Sequence, residues 1–286
     1  MGYSNWSEDF YVDREAERAR TGKDAFVYHD AMKGTAASER KCHEDMNPHG
    51  VTRESRDSDE HPESVAIAVV IDQTGSMSGT PRVLQQALPK LMTQLVEGGC
   101  PHPQVLFAAV GDETNREKAS LQIGQFESGI EMDDDLGKIY MEGMGGGSFQ
   151  ESYQNALYFF ARHTEIDCHA KRGEKGYLFI VGDEQAYDHV KKNEIESLFG
   201  DDVQDDIPVA DIVAEASEKY HVYFVIPAGT FHAGEDRLID FWNGLLGADH
   251  VIQLPDASHI CECVTTTVTT GETPRASTPK TRNVRL

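Results

Sequence analysis

The feature that most constrains the fold of this chain is a continuous apolar run that ends abruptly in polar residues. Residues 65–71 read VAIAVVI, rich in β-branched side chains, and Asp72 follows them directly. A helical pattern begins a few residues later. Such a run is typical of a strand buried on both faces of a parallel sheet, and sites in open α/β sheets lie at the carboxyl ends of the strands. The run therefore predicts a central strand that carries polar side chains to a site.

The rest of the chain alternates strand and helix patterns. Further apolar strand patterns cover residues 105–110, 121–126, 177–181, 222–226 and 251–254. Helical periodicity covers residues 81–96, 133–142, 150–163, 188–199, 209–220, 236–246 and, weakly, 258–268. Pro89 predicts a kink in the first of these helices. The short link between the second and third strands indicates a hairpin, so we expect one antiparallel edge strand. The predicted fold class is α/β: a doubly wound, mostly parallel sheet with helices on both faces.

The first 63 residues differ in composition from the rest. They are polar and charge-rich, and residues 39–63 have the composition of a linker or extended arm. The aromatic clusters Phe10-Tyr11 and Phe26-Val27-Tyr28 leave two alternatives open: a disordered leader, or an arm that docks on this domain or on a neighbouring subunit. The predicted organisation is a polar arm over residues 1–63, a domain over 64–268 and a mobile tail over 269–286.

Charge excludes some classes of partner. The 286-residue chain has 26 Lys and Arg against 49 Asp and Glu, a formal net charge of -23. This balance disfavours nucleic acid and anionic membranes, and it favours cations or basic protein surfaces. No apolar stretch approaches the length of a membrane span, and no signal-peptide pattern opens the chain. With five scattered cysteines, we expect reduced thiols and a cytoplasmic location.

The polar residues after the opening run have the chemistry of a metal site. Asp72, Thr74 and Ser76 alternate, so in an extended turn their side chains would point the same way. One carboxylate and two hydroxyls suit a hard divalent cation. Asp112 and Asp183 also follow predicted strands and would lie along the same edge. The alternative is an acid that caps the next helix.

The residues around Asp72 resemble a known metal site. Asp72-Gln73-Thr74-Gly75-Ser76-Met77 resembles the first loop of the metal-ion-dependent adhesion site (MIDAS) of von Willebrand factor A (vWA) domains, in the variant found in hemicentins and some α-kinases. Val181-Gly182-Asp183 matches the third loop. The second loop departs from the common pattern, which has Thr. Residues 145–151, GGGSFQE, fit the variant's Gly-Gly-Gly-Asp-x-Pro-Glu frame, which favours Glu151 as ligand or water-holder, with Ser148 as the alternative.

The resemblance covers residues 64–265 and implies a vWA-type, Rossmann-like fold of the bacterial or phage stand-alone type. It implies a non-enzymatic adaptor or assembly module for metal-dependent protein–protein interaction, with no catalytic residues. A partner's acidic residue, or a water, would complete the metal shell. The implied partners are a protein such as an AAA+ ATPase, or further copies bound through the N-terminal arm. The metal would be Mg²⁺, with Mn²⁺ or Ca²⁺ as alternatives. Its implied ligands are Asp72, Thr74, Ser76, Ser148, Glu151 and Asp183.

A second resemblance belongs to another class. Residues 72–76 also resemble the Asp-Lys-Thr-Gly-Thr loop of P-type ATPases and their haloacid-dehalogenase relatives, in which the Asp is a covalent nucleophile beside Mg²⁺. Asp183 and Asp188 would then match their metal-binding loop, and Lys175 their phosphate-binding lysine. This alternative is a phosphohydrolase or phosphotransferase with Asp72 as nucleophile. The triple glycine at a helix start has no role in that scheme, so the interaction module is the favoured hypothesis.

The remaining acidic residues have a simpler interpretation. We expect the acidic runs 133–135 and 201–206 to be solvated, since neither has the spacing of an EF-hand loop and acids at helix N-termini stabilise the helix dipole. Asp112-Glu113 is expected to be a solvated loop start, with a second cation shell as the alternative.

Overall fold

The fold is built around one central sheet. The computed structural model describes residues 5–22, 26–77, 79–115, 117–143 and 149–273. Its strands are β1 Arg53–Ser55, β2 Val65–Asp72, β3 Pro103–Val110, β4 Leu121–Ile123, β5 Gln150–Glu151, β6 Thr164–Ile166, β7 Gly176–Val181, β8 Gln185–Ala186, β9 His189–Val190, β10 Ile207–Pro208, β11 Tyr220–Pro227 and β12 Val251–Leu254. Its α-helices are α1 Glu8–Thr21, α2 Val27–Lys33, α3 Thr80–Ala87, α4 Leu91–Glu97, α5 Glu131–Lys138, α6 Tyr153–Arg162, α7 Asp167–Arg172, α8 Lys192–Phe199, α9 Val209–Lys219, α10 Asp236–Leu246 and α11 Ile260–Thr270.

The central sheet has the strand order β12-β11-β7-β2-β3-β4. Five of these strands are parallel, and β4 alone runs antiparallel to its neighbour β3, at the edge. The chain passes from β2 to β3 and β4 on one side, and then returns to β7, β11 and β12 on the other. The predicted fold class, a doubly wound α/β sheet with one antiparallel edge strand, is confirmed. The topological switch point lies between β2 and β7, where such sheets bind ligands.

Both faces of the sheet are covered by helices. Along β2, Ala66, Ala68 and Val70 belong to a core that includes residues of α6, α8, α9 and α10. Ile67 and Val69 belong to a second core on the opposite face, which includes residues of α3, α4, α5 and α11. Because successive side chains of a strand point to opposite faces, burial on both sides requires the unbroken apolar run.

The helix predicted over residues 81–96 is interrupted. The structure has α3, a 3₁₀ turn at Leu88–Lys90, and then α4. Pro89 lies in that turn. Proline lacks the N–H that a continuous α-helix would use, so the break follows from the sequence.

The N-terminal segment contacts the domain. Tyr11 and Phe26 are buried, and Phe26 belongs to the same core as Met77. The Trp6 Nε1–H donates to Thr93 Oγ1 at 2.8 Å. Phe10 remains exposed, as does Val27. Of the two alternatives left open by the sequence, the structure therefore has the arm that packs on its own domain.

Polar contacts tie the segment that precedes β2 to the domain. The prediction of a linker or extended arm over residues 39–63 is wrong for β1, which pairs in parallel with β6. Ser55 Oγ donates to Gln104 Oε1 at 2.7 Å, and Arg56 Nη1 donates to Asp167 Oδ1 at 3.1 Å. The prediction missed these contacts because it was based on the low apolar content of this segment, whereas β1 is held mainly by hydrogen bonds.

Two predicted helices begin later than expected. Gln150 and Glu151 form β5, which pairs with β8, and α6 starts only at Tyr153. Residues 189–190 form β9, which pairs with β10. In the described part of the chain, no helix is both long and apolar enough to cross a membrane.

Candidate metal centre

The first predicted metal loop follows β2 without a break. The Asp72 side chain is fully buried. Its Oδ1 accepts hydrogen bonds from the Thr74 backbone N–H at 2.8 Å and from the Thr74 hydroxyl at 2.5 Å. Thr74 Oγ1 lies 3.1 Å from Ser76 Oγ. The turn therefore holds the side-chain oxygens of Asp72, Thr74 and Ser76 next to one another.

Asp183 joins this loop from the neighbouring strand. It lies two residues beyond the end of β7 and is fully buried. Its Oδ1 accepts the hydroxyl of Ser76 at 2.7 Å, and its Oδ2 accepts the backbone N–H of His232 at 3.2 Å. Asp72, Thr74, Ser76 and Asp183 thus form one continuous set of hydrogen-bonded oxygens, which we call the oxygen cluster, at the switch point of the sheet.

The oxygen cluster has the donors that a hard cation takes. It offers two carboxylates and two hydroxyls and no nitrogen or sulfur, a set that suits Mg²⁺, Mn²⁺ or Ca²⁺. Ser76 is half-buried and Gly75 is exposed, whereas the other three members are buried, so solvent reaches the cluster on the Ser76 side. Mg²⁺ keeps several waters where a protein supplies few ligands. The residues present therefore fit a divalent cation with an open position.

A tyrosine that the sequence did not single out completes the surroundings of Asp72. The Tyr153 hydroxyl, at the start of α6, donates a short hydrogen bond to Asp72 Oδ2. Burial and the charge of Asp72 raise the pKa of Tyr153 well above its usual value, so the phenol keeps its proton. Its ring packs against Phe224 and Trp242. No local pattern distinguishes this tyrosine from an ordinary core residue.

Gly182 makes room for this tyrosine. A Cβ at position 182 would lie 2.1 Å from the Tyr153 hydroxyl oxygen and 2.7 Å from the ring carbon that carries it. The glycine between β7 and Asp183 is therefore required for the phenol to approach Asp72 across the strand end. The Val181-Gly182-Asp183 sequence was the available signal for such a close approach.

Burial dominates the electrostatics of Asp72. Removal from water raises its pKa to about 7, and the negative charge of Asp183 adds to this effect. The hydrogen bonds from Thr74 and Tyr153 act in the opposite direction, because they stabilise the carboxylate. Asp72 is therefore poised between its neutral and its ionised form near neutral pH.

Glu151 lies near the oxygen cluster but does not join it. It is buried in β5, and burial, the charge of Asp72 and contact with the Glu184 carboxyl raise its pKa to about 12. Its Oε2 has no hydrogen-bond partner within the described residues. Across the same residues, no three Asp, Glu, His or Cys side chains form a group that could hold a metal ion. The structure therefore does not bring Glu151 together with Asp72 and Asp183 as a third carboxylate ligand. Its role as ligand or water-holder stays a prediction, and Ser148 lies outside the described residues.

Asp112 repeats the Asp-x-Thr geometry on the next strand. The backbone N–H and the hydroxyl of Thr114 both donate to Asp112 Oδ1, at 2.9 and 2.6 Å, and the Tyr187 hydroxyl donates to the same atom at 3.2 Å. Asp112 is 1% exposed. The expectation of a solvated loop start is therefore wrong for Asp112, whose side chain is buried and whose Oδ1 accepts hydrogen bonds from protein donors.

Two of the acids in α5 are not solvated either. Asp133 is buried and binds Arg14 and Arg18 of α1, with Arg18 Nη2 at 2.7 Å from Asp133 Oδ2. Asp135 is buried beside Lys138, whose Nζ lies 2.8 Å from Asp135 Oδ1. The expectation of solvated caps is therefore wrong for these two acids, since cations from the arm and from α5 replace the water.

The structure does not bring the lysine of the phosphotransferase alternative to Asp72. Lys175 precedes β7, whereas Asp183 follows it, and the six residues of β7 span about 20 Å. Because β2 and β7 are parallel, Lys175 lies at the edge of the sheet opposite to Asp72. Lys175 therefore does not reach the Asp72 carboxylate. Asp188 is exposed.

Comparisons with known proteins find structures that are similar to this one at low sequence identity. No protein-family model and no curated protein sequence matches this chain. Its structure is similar to that of the pilus adhesin SpaC from Lactobacillus rhamnosus GG, with a TM-score of 0.48 and 11% identity over 76% of this chain and 31% of that one. It is also similar to proximal thread matrix protein 1 (PTMP1) from the mussel byssus, with a TM-score of 0.46 and 10% identity over 78% of this chain and 47% of that one.

A structure of PTMP1 with a zinc-occupied MIDAS motif is also similar, with a TM-score of 0.47 and 10% identity. This chain spans less than half the length of these proteins, and likeness at this level assigns neither residues nor activity. The sheet order and the oxygen cluster define the class: a doubly wound α/β domain with an oxygen-lined site at its switch point.

Proposed function

We propose that this chain is a non-enzymatic protein–protein interaction module that recognises its partner through a Mg²⁺-dependent, MIDAS-type site. The oxygen cluster of Asp72, Thr74, Ser76 and Asp183 is the observation that carries the proposal. An adaptor or assembly role accords with the vWA resemblance of the loop at Asp72. Mg²⁺ bound there would offer its open position to a carboxylate of the partner.

The charge of the site indicates that recognition depends on the cation. The cluster itself contains two buried carboxyl groups, and Glu151 and Glu184 are buried nearby. An acidic partner would be repelled by this edge of the sheet, and the whole chain carries a net charge of -23. A divalent cation reverses the local field, so binding of an acidic partner should vanish when the cation is removed.

The surroundings of Asp72 also favour binding over phosphoryl transfer. Enzymes that transfer phosphoryl groups stabilise the developing charge with lysine or arginine as well as Mg²⁺. The lysine expected for that role, Lys175, lies at the opposite edge of the sheet.

Metal binding is tested by titration calorimetry with Mg²⁺, Mn²⁺ and Ca²⁺. We expect wild type to bind one ion and Asp72→Ala to lose this binding while its circular dichroism stays native. Asp240→Ala, which removes an exposed acid on α10, is the matched control and should bind as wild type does. Unchanged Mg²⁺ affinity in Asp72→Ala would show that the site is misplaced.

Partner binding is tested by affinity purification of wild type and Asp72→Ala, each with Mg²⁺ or with EDTA. A partner that is lost both in EDTA and in the variant supports the proposal. A partner retained in both contradicts it. Hydrolysis of a generic phosphate ester that depends on Asp72 would likewise contradict a non-enzymatic role.

A further inference from the structure

The backbone of the loop that follows β11 is hydrogen-bonded to the oxygen cluster. The N–H of Phe231 donates to the Ser76 carbonyl oxygen at 3.2 Å, and the N–H of His232 donates to Asp183 Oδ2 at 3.2 Å. Gly229 has φ 93°, a left-handed conformation that suits glycine. Two consecutive backbone groups of this loop thus contact two members of the cluster, which fixes the position of Phe231.

The Phe231 side chain points away from the protein. It is 75% exposed, more than Phe10 at 65%. A single exposed apolar residue is ordinary on a protein surface. Phe231 differs because its backbone is bound to Ser76, the member of the cluster that solvent reaches. An aromatic ring therefore stands at the entrance to the candidate metal site.

The wall beside this entrance is also aromatic. The Phe149 ring meets the His232 ring edge-on at 4.5 Å, and the guanidinium carbon of Arg237 lies 3.4 Å from the centre of the Phe149 ring. His232 Nδ1 lies 2.5 Å from Glu235 Oε1. These contacts hold His232, and hence the Phe231 backbone, in place. Rigid aromatic side chains bury large area at low entropic cost, which makes them effective binding anchors.

We infer that Phe231 determines the specificity of this site. The occupant is a protein segment in which a large apolar side chain lies one or two residues from the Asp or Glu that binds the metal. The inference rests on the proposed function. Consecutive residues of an extended segment advance about 3.3–3.6 Å. A carboxylate directed at the oxygen cluster past Ser76 would therefore place a neighbouring side chain over the Phe231 ring.

The test uses random twelve-residue peptides displayed on phage, selected on the immobilised full chain in Mg²⁺ and eluted with EDTA. Selections run in parallel on wild type, Phe231→Ala and Phe10→Ala, which removes another exposed phenylalanine, from α1. We expect wild type and Phe10→Ala to enrich Asp or Glu beside Leu, Ile, Phe or Trp. Phe231→Ala should lose the preference for the apolar neighbour.

A synthetic peptide of the enriched sequence is then used to measure how much affinity the Phe231 side chain contributes. We expect Phe231→Ala to weaken its binding about tenfold to a hundredfold, as for the loss of one buried aromatic contact. Phe231→Leu should restore part of the affinity. Mg²⁺ affinity measured by calorimetry should be unchanged in both variants, because the Phe231 side chain is not a member of the cluster.

The outcomes separate the two proposals. Enriched peptides that need Mg²⁺ but bind Phe231→Ala as well as wild type would overturn this inference and leave the proposed function in place. Peptides enriched in Asp or Glu without an apolar neighbour would have the same consequence: this inference would be overturned and the proposed function would stand. If wild type enriches no peptide that EDTA releases, the proposed function fails and this inference fails with it.

Discussion

Replacement of Tyr153 by Phe tests whether Asp72 is the charged centre of the site. The variant removes one hydroxyl and keeps the ring, with its contacts to Phe224 and Trp242. Donor and acceptor are both fully buried, so no water replaces the lost hydrogen bond. A hydrogen bond to a charged group contributes about 1.5–3 kcal/mol, against about 0.5–1.5 kcal/mol for a neutral pair. The cost of the substitution should therefore depend on the ionisation of Asp72.

The expected direction follows from the raised pKa of Asp72. Since this pKa is about 7 in the fold and near 4 in an unfolded chain, Asp72 destabilises the metal-free fold progressively as the pH rises from about 4 to 7. Without the phenol, the pKa of Asp72 rises further, because the hydrogen bond that favours the ionised carboxylate is lost. Tyr153→Phe should therefore cost about 1 kcal/mol at pH 5.5 and about 2–3 kcal/mol at pH 8.5.

The measurement is urea unfolding in EDTA at the two pH values. Tyr220→Phe is the matched control, because Tyr220 is also buried but donates to the neutral hydroxyl of Thr164 at 2.9 Å. Its cost should be about 1 kcal/mol at both pH values. Equal costs for Tyr153→Phe at pH 5.5 and 8.5 would refute the reasoning, since they would mean that the hydroxyl does not interact with an ionising carboxyl group.

Three further predictions concern the same region and the arm. Gly182→Ala should destabilise the protein by about 2–3 kcal/mol in urea unfolding, because the new Cβ meets the packed Tyr153; a neutral effect would contradict that close approach. Mg²⁺ affinity should rise about tenfold per pH unit below pH 7, because Asp72 must lose its proton to act as a ligand; calorimetry in two buffers that differ in ionisation enthalpy should show proton release. Arg18→Ala should lower the free energy of unfolding by about 2–3 kcal/mol and speed hydrogen exchange in α1, since it leaves the buried Asp133 with a weaker partner. Arg20→Ala, which breaks a surface pair with Glu17, should lower it by less than about 1 kcal/mol.

The central sheet could be predicted because burial on both faces leaves a local signature. The six strands of the central sheet overlap the six predicted strands, five of them at apolar runs and β4 at an alternating pattern, and their order follows the rules of doubly wound sheets. Asp72 and Asp183 could be selected for the same reason, since Asp72 directly follows one apolar run and Asp183 follows another after a single glycine. Their meeting required only that the two strands be neighbours.

The contacts that shape the site depend on distant parts of the chain. Tyr153 reaches Asp72 from 81 positions away, and which residue of α6 faces the strand end depends on where that helix begins. Glu151 was placed at a helix start, but it lies in a two-residue strand that forms only because β8 is beside it. β1 shows the same limit, because hydrogen bonds to Gln104 and Asp167 leave no periodic pattern.

The buried acids at this edge of the sheet destabilise the metal-free fold, which accords with the proposed cation site. Burial is the largest cause of the raised pKa of Asp72, Glu151 and Glu184 alike, so each of these groups weakens the metal-free fold as the pH rises above its ordinary pKa. Apolar residues of similar size would remove that cost. A divalent cation removes it differently, because it supplies the positive charge that these carboxyl groups otherwise obtain from protons. Clusters of this kind mark functional sites more often than structural ones, and here the cluster borders the switch point of the sheet.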